Sequence, residues 1–134
     1  IELRLRLRAY PRQIQSLIEA FQSLARLARL ERGCAEVHLF TEIGDSRRLC
    51  YSELWDGEGN LHSMLRSERF IRLIELMEMS AEPPSLDFRT IVEIRGLEFA
   101  WQADAAAMHF NLVEERALVP KKKKKCLLGM PSRF

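Results

Sequence analysis

The sequence has little of what announces a function by composition. It holds three cysteines in 134 residues, Cys34, Cys50 and Cys126, and no Cys-x-x-Cys pair. An odd number at wide spacing is no disulfide framework, and with His38, His62 and His109 it makes no zinc-ligand pattern. No metal and no cofactor is expected, and the thiols are read as small buried hydrophobes of a reducing, cytoplasmic setting. Net charge is also scarce: 21 Lys and Arg stand against 19 Asp and Glu, for a balance of +2. That excludes a broadly basic nucleic-acid binder, though not a local patch. No apolar run approaches the roughly 18 residues of a membrane span, so no membrane is expected. The first residues alternate charged and apolar side chains, which is not the pattern of a signal peptide. A GxGxxG fingerprint, a P-loop, a Gly-x-Ser-x-Gly elbow and a paired carboxylate set are all missing.

What is present is a chain with 47% hydrophobic and 30% charged residues, enough to bury the core of one ordinary domain. Ile1, Leu3, Leu5, Leu7 and Ala9 alternate with Glu2, Arg4, Arg6 and Arg8, the period of a half-buried strand. Tyr10-Pro11 ends it, and Pro11 suits a first helical turn. The period then changes. Ile14, Leu17, Ile18, Phe21, Leu24, Ala25 and Ala28 predict an amphipathic helix over about 12–31, stopped by Gly33. Strands are expected over Cys34–Ile43, with Val37, Leu39, Thr41 and Ile43 inward, and over Arg47–Trp55. The Gly44-Asp45-Ser46 turn makes them a hairpin. Leu61, Met64, Leu65, Phe70, Leu73, Ile74 and Met77 predict two helical pieces meeting near Ser67, which reads as an internal cap. After Pro83-Pro84, Leu86–Ile94 is expected to be extended. Gly96 would allow a bulge, with Leu97, Phe99 and Trp101 continuing on one side.

The order strand, helix, strand, strand, helix, strand is the split βαβ, or ferredoxin-like, pattern: an α+β domain (βαββαβ) with an antiparallel sheet and its helices on one face. Apolar side chains occur at both parities of the strands, so the second sheet face is expected to meet a partner sheet in a homodimer. The domain is expected over 1–103. Residues 104–134 are read as a short helix, from about Ala105 to Leu118, and a solvated tail carrying Lys121–Lys125. That run lacks interleaved aromatics, and Arg47–Trp55 (RRLCYSELW) lacks the Gly- and aromatic-rich pattern of RNA-recognition strands, so nucleic acid ranks low as a partner.

Three segments, in order, carry a family resemblance: Glu31-Arg32-Gly33-Cys34, Tyr51-Ser52-Glu53-Leu54-Trp55 and Leu65-Arg66-Ser67-Glu68-Arg69-Phe70. They are similar to the Glu-x-Gly-Cys, Glu-x-Trp and Leu-x-Ser-x-x-Phe/Tyr motifs of the antibiotic biosynthesis monooxygenases, and the resemblance covers about residues 1–101. It implies a ferredoxin-like monomer, a sheet-to-sheet homodimer (a dimeric α+β barrel) and a small cavity between sheet and helices. Some members oxidise hydroquinones or polycyclic aromatics with molecular oxygen and no metal or flavin; others degrade haem. Met64 stands where many members carry His. His62 is two positions earlier, about 200° around a helix, and so does not replace it. Haem-degrading relatives carry Trp at the Met64 position and His at that of Ile74, so haem chemistry lacks its axial ligand here.

Cofactor-free oxygenation needs a base, an oriented electron-rich substrate and a dry pocket. Tyr51, Glu53 and Trp55 share one strand face: Trp55 to stack on a ring, Tyr51 to donate to a quinol oxygen, Glu53 to act as a base if burial raises its pKa. His38 is a second candidate base. Met64, Phe70 and Phe40 are the expected substrate-binding residues. Against this, a Trp such as Trp55 is more often a core or interface anchor, and Glu53 is also read as the structural partner of a strand arginine, for example Arg4 or Arg6. Two functions therefore stand: a cofactor-independent monooxygenase acting on a quinol or related aromatic, and a non-catalytic ligand-binding or structural homodimer of the same fold.

Overall fold

The structure, a computed structural model, describes residues 1–103. The expected Ala105–Leu118 helix and Lys121–Lys125 tail, with His109 and Cys126, lie outside the described residues. The chain divides into two units, Ile1–Ile91 and one beginning at Val92.

In the first unit the elements follow the expected order: β1 (Glu2–Arg8), α1 (Ile14–Arg29), β2 (Cys34–Glu42), β3 (Asp45–Trp55), α2 (Glu58–Leu65), α3 (Glu68–Glu78) and β4 (Ser85–Arg89). The four strands form one antiparallel sheet in the order β2-β3-β1-β4, the ferredoxin-like arrangement. Leu3, Leu5 and Leu7 lie opposite Glu53, Tyr51 and Leu49 and define the inner face. On it α1 lays Leu17, Phe21, Leu24, Ala25 and Ala28, the single stripe its periodicity dictates. Leu61 and Met64 of α2 and Leu73 of α3 complete the core. The Phe21 and Tyr51 rings stack with centroids 5.2 Å apart.

The boundaries obey local chemistry. The hairpin closes through Ile43-Gly44, with Gly44 at φ +88 and Glu42 opposite Asp45, so the third strand starts two residues earlier than expected. Ile43, expected inward, is fully exposed in that turn, and Thr41 is exposed as well, while Val37 is buried and Leu39 half-buried. Pro11 sits in the turn before α1 rather than within its first turn. The helical break falls at Ser67, as expected, but its hydroxyl makes no cap to α3; it donates to the Met64 carbonyl of α2 at 2.6 Å.

The main correction concerns the fourth strand. It ends at Arg89, not Ile94, where Arg89 lies directly opposite Glu2, the first residue of β1. Ile91, Val92 and Ile94 lie outside the sheet and are exposed. In the second unit Leu97–Gln102 is a 3-10 helix, and Gly96 is its entry residue instead of a bulge. Arg95 lies over the Phe99 ring at 4.8 Å from its centroid. Among the described residues no helix is long and apolar enough to cross a membrane.

Candidate functional site

β3 puts Tyr51, Glu53 and Trp55 on the inner face at every second residue, and all three are buried (0%, 0% and 2% exposed). A carboxylate placed there has to be paired. Its partner is neither Arg4 nor Arg6, which are on the outer face of β1, but Arg69 from the first turn of α3. NH1 of Arg69 donates to Glu53 Oε2, and NH2 to Oε1 at 3.2 Å. The Tyr51 hydroxyl donates to Oε2 at 2.5 Å and the Trp55 indole N–H to Oε1 at 3.0 Å. Each oxygen thus accepts two bonds, which fills the lone pairs a carboxylate has. The guanidinium carbon also lies 6.0 Å from the Trp55 ring centroid.

Arg69 holds a second carboxylate. Its Nε and NH2 donate to the two oxygens of Glu31 at 3.2 and 2.9 Å. Burial works to lower the Arg69 pKa, but hydrogen bonds and charge from Glu53 and Glu31 outweigh it and raise it further. Tyr51 is pushed well up by burial and then by the Glu53 carboxylate it donates to, so its phenol stays protonated. Cys34 joins the cluster through a β-bulge. It pairs with Trp55, and Glu36 pairs with Leu54, leaving Ala35 as the extra residue. In regular pairing without the bulge Cys34 would share the outward parity of Glu36; the bulge turns it inward. Burial, then the Glu53 carboxylate, pushes its thiol up to about 11.

The other residues singled out from the sequence divide between the two sheet faces. Met64 is buried in the inner core and Phe70 is packed against it. His38 lies opposite Ser52, and Phe40 opposite Cys50, so both are on the outer face, away from Glu53. Their rings stack at 5.4 Å, and Phe40 lines an outer-face concavity of about 420 Å3 with Arg6, Thr41, Glu42, Arg48 and Cys50. His62 is on the exposed side of α2. The inner cluster therefore gathers Tyr51, Glu53, Trp55 and Met64, and leaves His38 and Phe40 out.

Arg69, Glu31 and Cys34 were not expected as site residues, although all three belong to the motif segments quoted above. One signal was available for Arg69: it stands four residues before Leu73, on the apolar stripe of α3. A charge on a core-facing stripe demands a buried partner. Among the described residues no group of three or more His, Cys, Asp or Glu side chains is placed to hold a metal ion.

Solved structures share this architecture. The chain superposes on an antibiotic biosynthesis monooxygenase with a TM-score of 0.60 and 18% identity, covering 69% of this chain and 98% of that one. A candidate antibiotic biosynthesis monooxygenase from Deinococcus radiodurans matches with a TM-score of 0.58 and 17% identity, over 71% and 98% of the two chains. A conserved protein from Methanosarcina mazei matches at 0.58 and 22%, over 68% and 94%. At these identities the likeness is one of fold, and the fold is the one the resemblance implied. No protein-family model matches the sequence, and no curated protein matches it.

Proposed function

We propose that this chain is a member of the antibiotic biosynthesis monooxygenase family that works as a homodimer and binds a small aromatic molecule. The fold likeness over nearly the whole of a solved monooxygenase supports the family. The outer sheet face supports the dimer: it carries exposed Phe40 and half-buried Leu54, while the helical core lies on the other side.

One observation supports binding over turnover, namely the saturation of Glu53. Both its oxygens are filled by Arg69, Tyr51 and Trp55, so none is free to take a substrate proton, and neither the Tyr51 hydroxyl nor the Trp55 N–H is free to donate. With Met64 in place of the usual family His, no unengaged base stands on the inner face among the described residues. Binding without acid–base turnover is the reading this geometry favours.

The second reading, cofactor-independent oxygenation, rests on the monooxygenase likeness. A hydroquinone and O2 would give a hydroxyquinone and water, the substrate supplying all four electrons that reduce O2. Oxygen uptake with a panel of hydroquinones and polyphenols, corrected for autoxidation, separates the two. The favoured reading expects no saturable uptake. Saturable uptake that Trp55→Ala reduces would overturn it and make the protein an oxygenase.

A further inference from the structure

The two carboxylates held by Arg69 are not equivalent. Glu53 is on β3, fully buried, and also engages Tyr51 and Trp55. Glu31 stands in the irregular link between α1 and β2, its side chain is 33% exposed, and among the described residues only Arg69 pairs with it. Arg69 itself is 6% exposed. Its Nε/NH2 edge therefore presents a planar two-donor fork to a carboxylate that reaches it from the solvent side. The Trp55 indole lies beside the same guanidinium.

We propose that the Nε/NH2 edge of Arg69 is the binding site for the carboxylate of a small aromatic acid, and that Glu31 occupies it as an internal stand-in until ligand displaces it. The proposal rests on the small-aromatic reading above and adds the ligand's charge and its anchor. The exchange conserves charge, since one carboxylate leaves as another arrives, so the buried Arg69–Glu53 pair keeps its partner throughout. The displaced Glu31, already 33% exposed, goes to water, and the incoming carboxylate takes over its two bonds to the buried Arg69. The apparent affinity is then the intrinsic affinity scaled by the fraction of molecules in which Glu31 is out.

Titration of tryptophan fluorescence with sodium benzoate tests this. The chain has two tryptophans, so a Trp101→Phe background leaves Trp55 as the reporter. Glu31→Ala in that background is expected to bind benzoate about tenfold or more tighter than the parent, because the competitor is gone. Benzyl alcohol, the neutral counterpart, is expected to show no such gain. Glu31→Gln, which keeps the side chain's size, is expected to fall between, and it carries the test if the alanine variant does not give a cooperative melt. Equal benzoate affinity with and without Glu31, or an equal gain for benzyl alcohol, overturns the site and leaves the small-aromatic reading standing. Failure of both compounds to bind either protein overturns the site and that reading together.

Discussion

Glu53 shows how a single buried charge organises its surroundings. Four donors converge on it from β3 and α3, and removing its charge leaves Glu31 as the carboxylate that balances the buried Arg69. Glu53→Gln also brings an amide N–H into contact with donors. It is expected to lower stability by about 1–3 kcal/mol, the cost of leaving buried donors without an acceptor, read by urea unfolding. A change near zero would show the pair to be loosely held. Cys34 gives a second prediction at this scale. Its thiol is raised from 9.0 to about 11, so between these values the folded protein holds a proton that the unfolded chain has lost. Stability from this group is complete below pH 9.0 and falls as pH rises through about 11. Alkylation of Cys34 is expected to accelerate only as pH approaches that upper value, and thiolate-like reactivity at neutral pH would contradict it.

Among the elements, α1 and its exit into β2 carry the most consequence. Phe21 is fully buried against Tyr51, so Phe21→Ala is expected to cost about 3–5 kcal/mol in chemical denaturation. The exit depends on Gly33, which sits at φ +88 and touches Asn60 of α2. A Cβ there would meet the Asn60 side chain at 2.3–2.7 Å. Gly33→Ala is expected to cost about 2 kcal/mol for the left-handed backbone alone, with more from the collision. Adding Asn60→Ala should return the collision part and leave the backbone part, a division that thermal melts of the single and double variants can read. The same junction places Glu31 and the bulged Cys34, so these variants also test how tightly that side of the cluster is held.

For the whole molecule, the unequal sheet faces set the expectation. The inner face is closed by helices, whereas the outer face carries Phe40 and Leu54 among charged rows. Phe40→Lys is expected to shift the protein from dimer to monomer in light scattering while its far-ultraviolet dichroism stays unchanged. A parent protein already monomeric at high concentration would refute the dimer.

Periodicity determined most of this architecture from the sequence alone. The alternation of β1, the α1 stripe and the hairpin turn are local patterns, and a face that alternates or recurs every third and fourth residue has only one side to bury. The inward set Tyr51, Glu53 and Trp55 was legible for the same reason. Three matters needed the tertiary structure. The extent of β4 was decided by its pairing with β1, a distant stretch of the chain, which runs from Arg6 opposite Ser85 to Glu2 opposite Arg89. The partner of Glu53 was decided by which distant element packs over it, and α3 brought Arg69 rather than the nearby strand arginines. The inward turn of Cys34 was decided by the bulge between β2 and β3, whereas the outward side of His38 and Phe40 follows from the alternation that puts Val37 and Leu39 inward. Register is a property of two chains of residues at once, and no single stretch of sequence contains it.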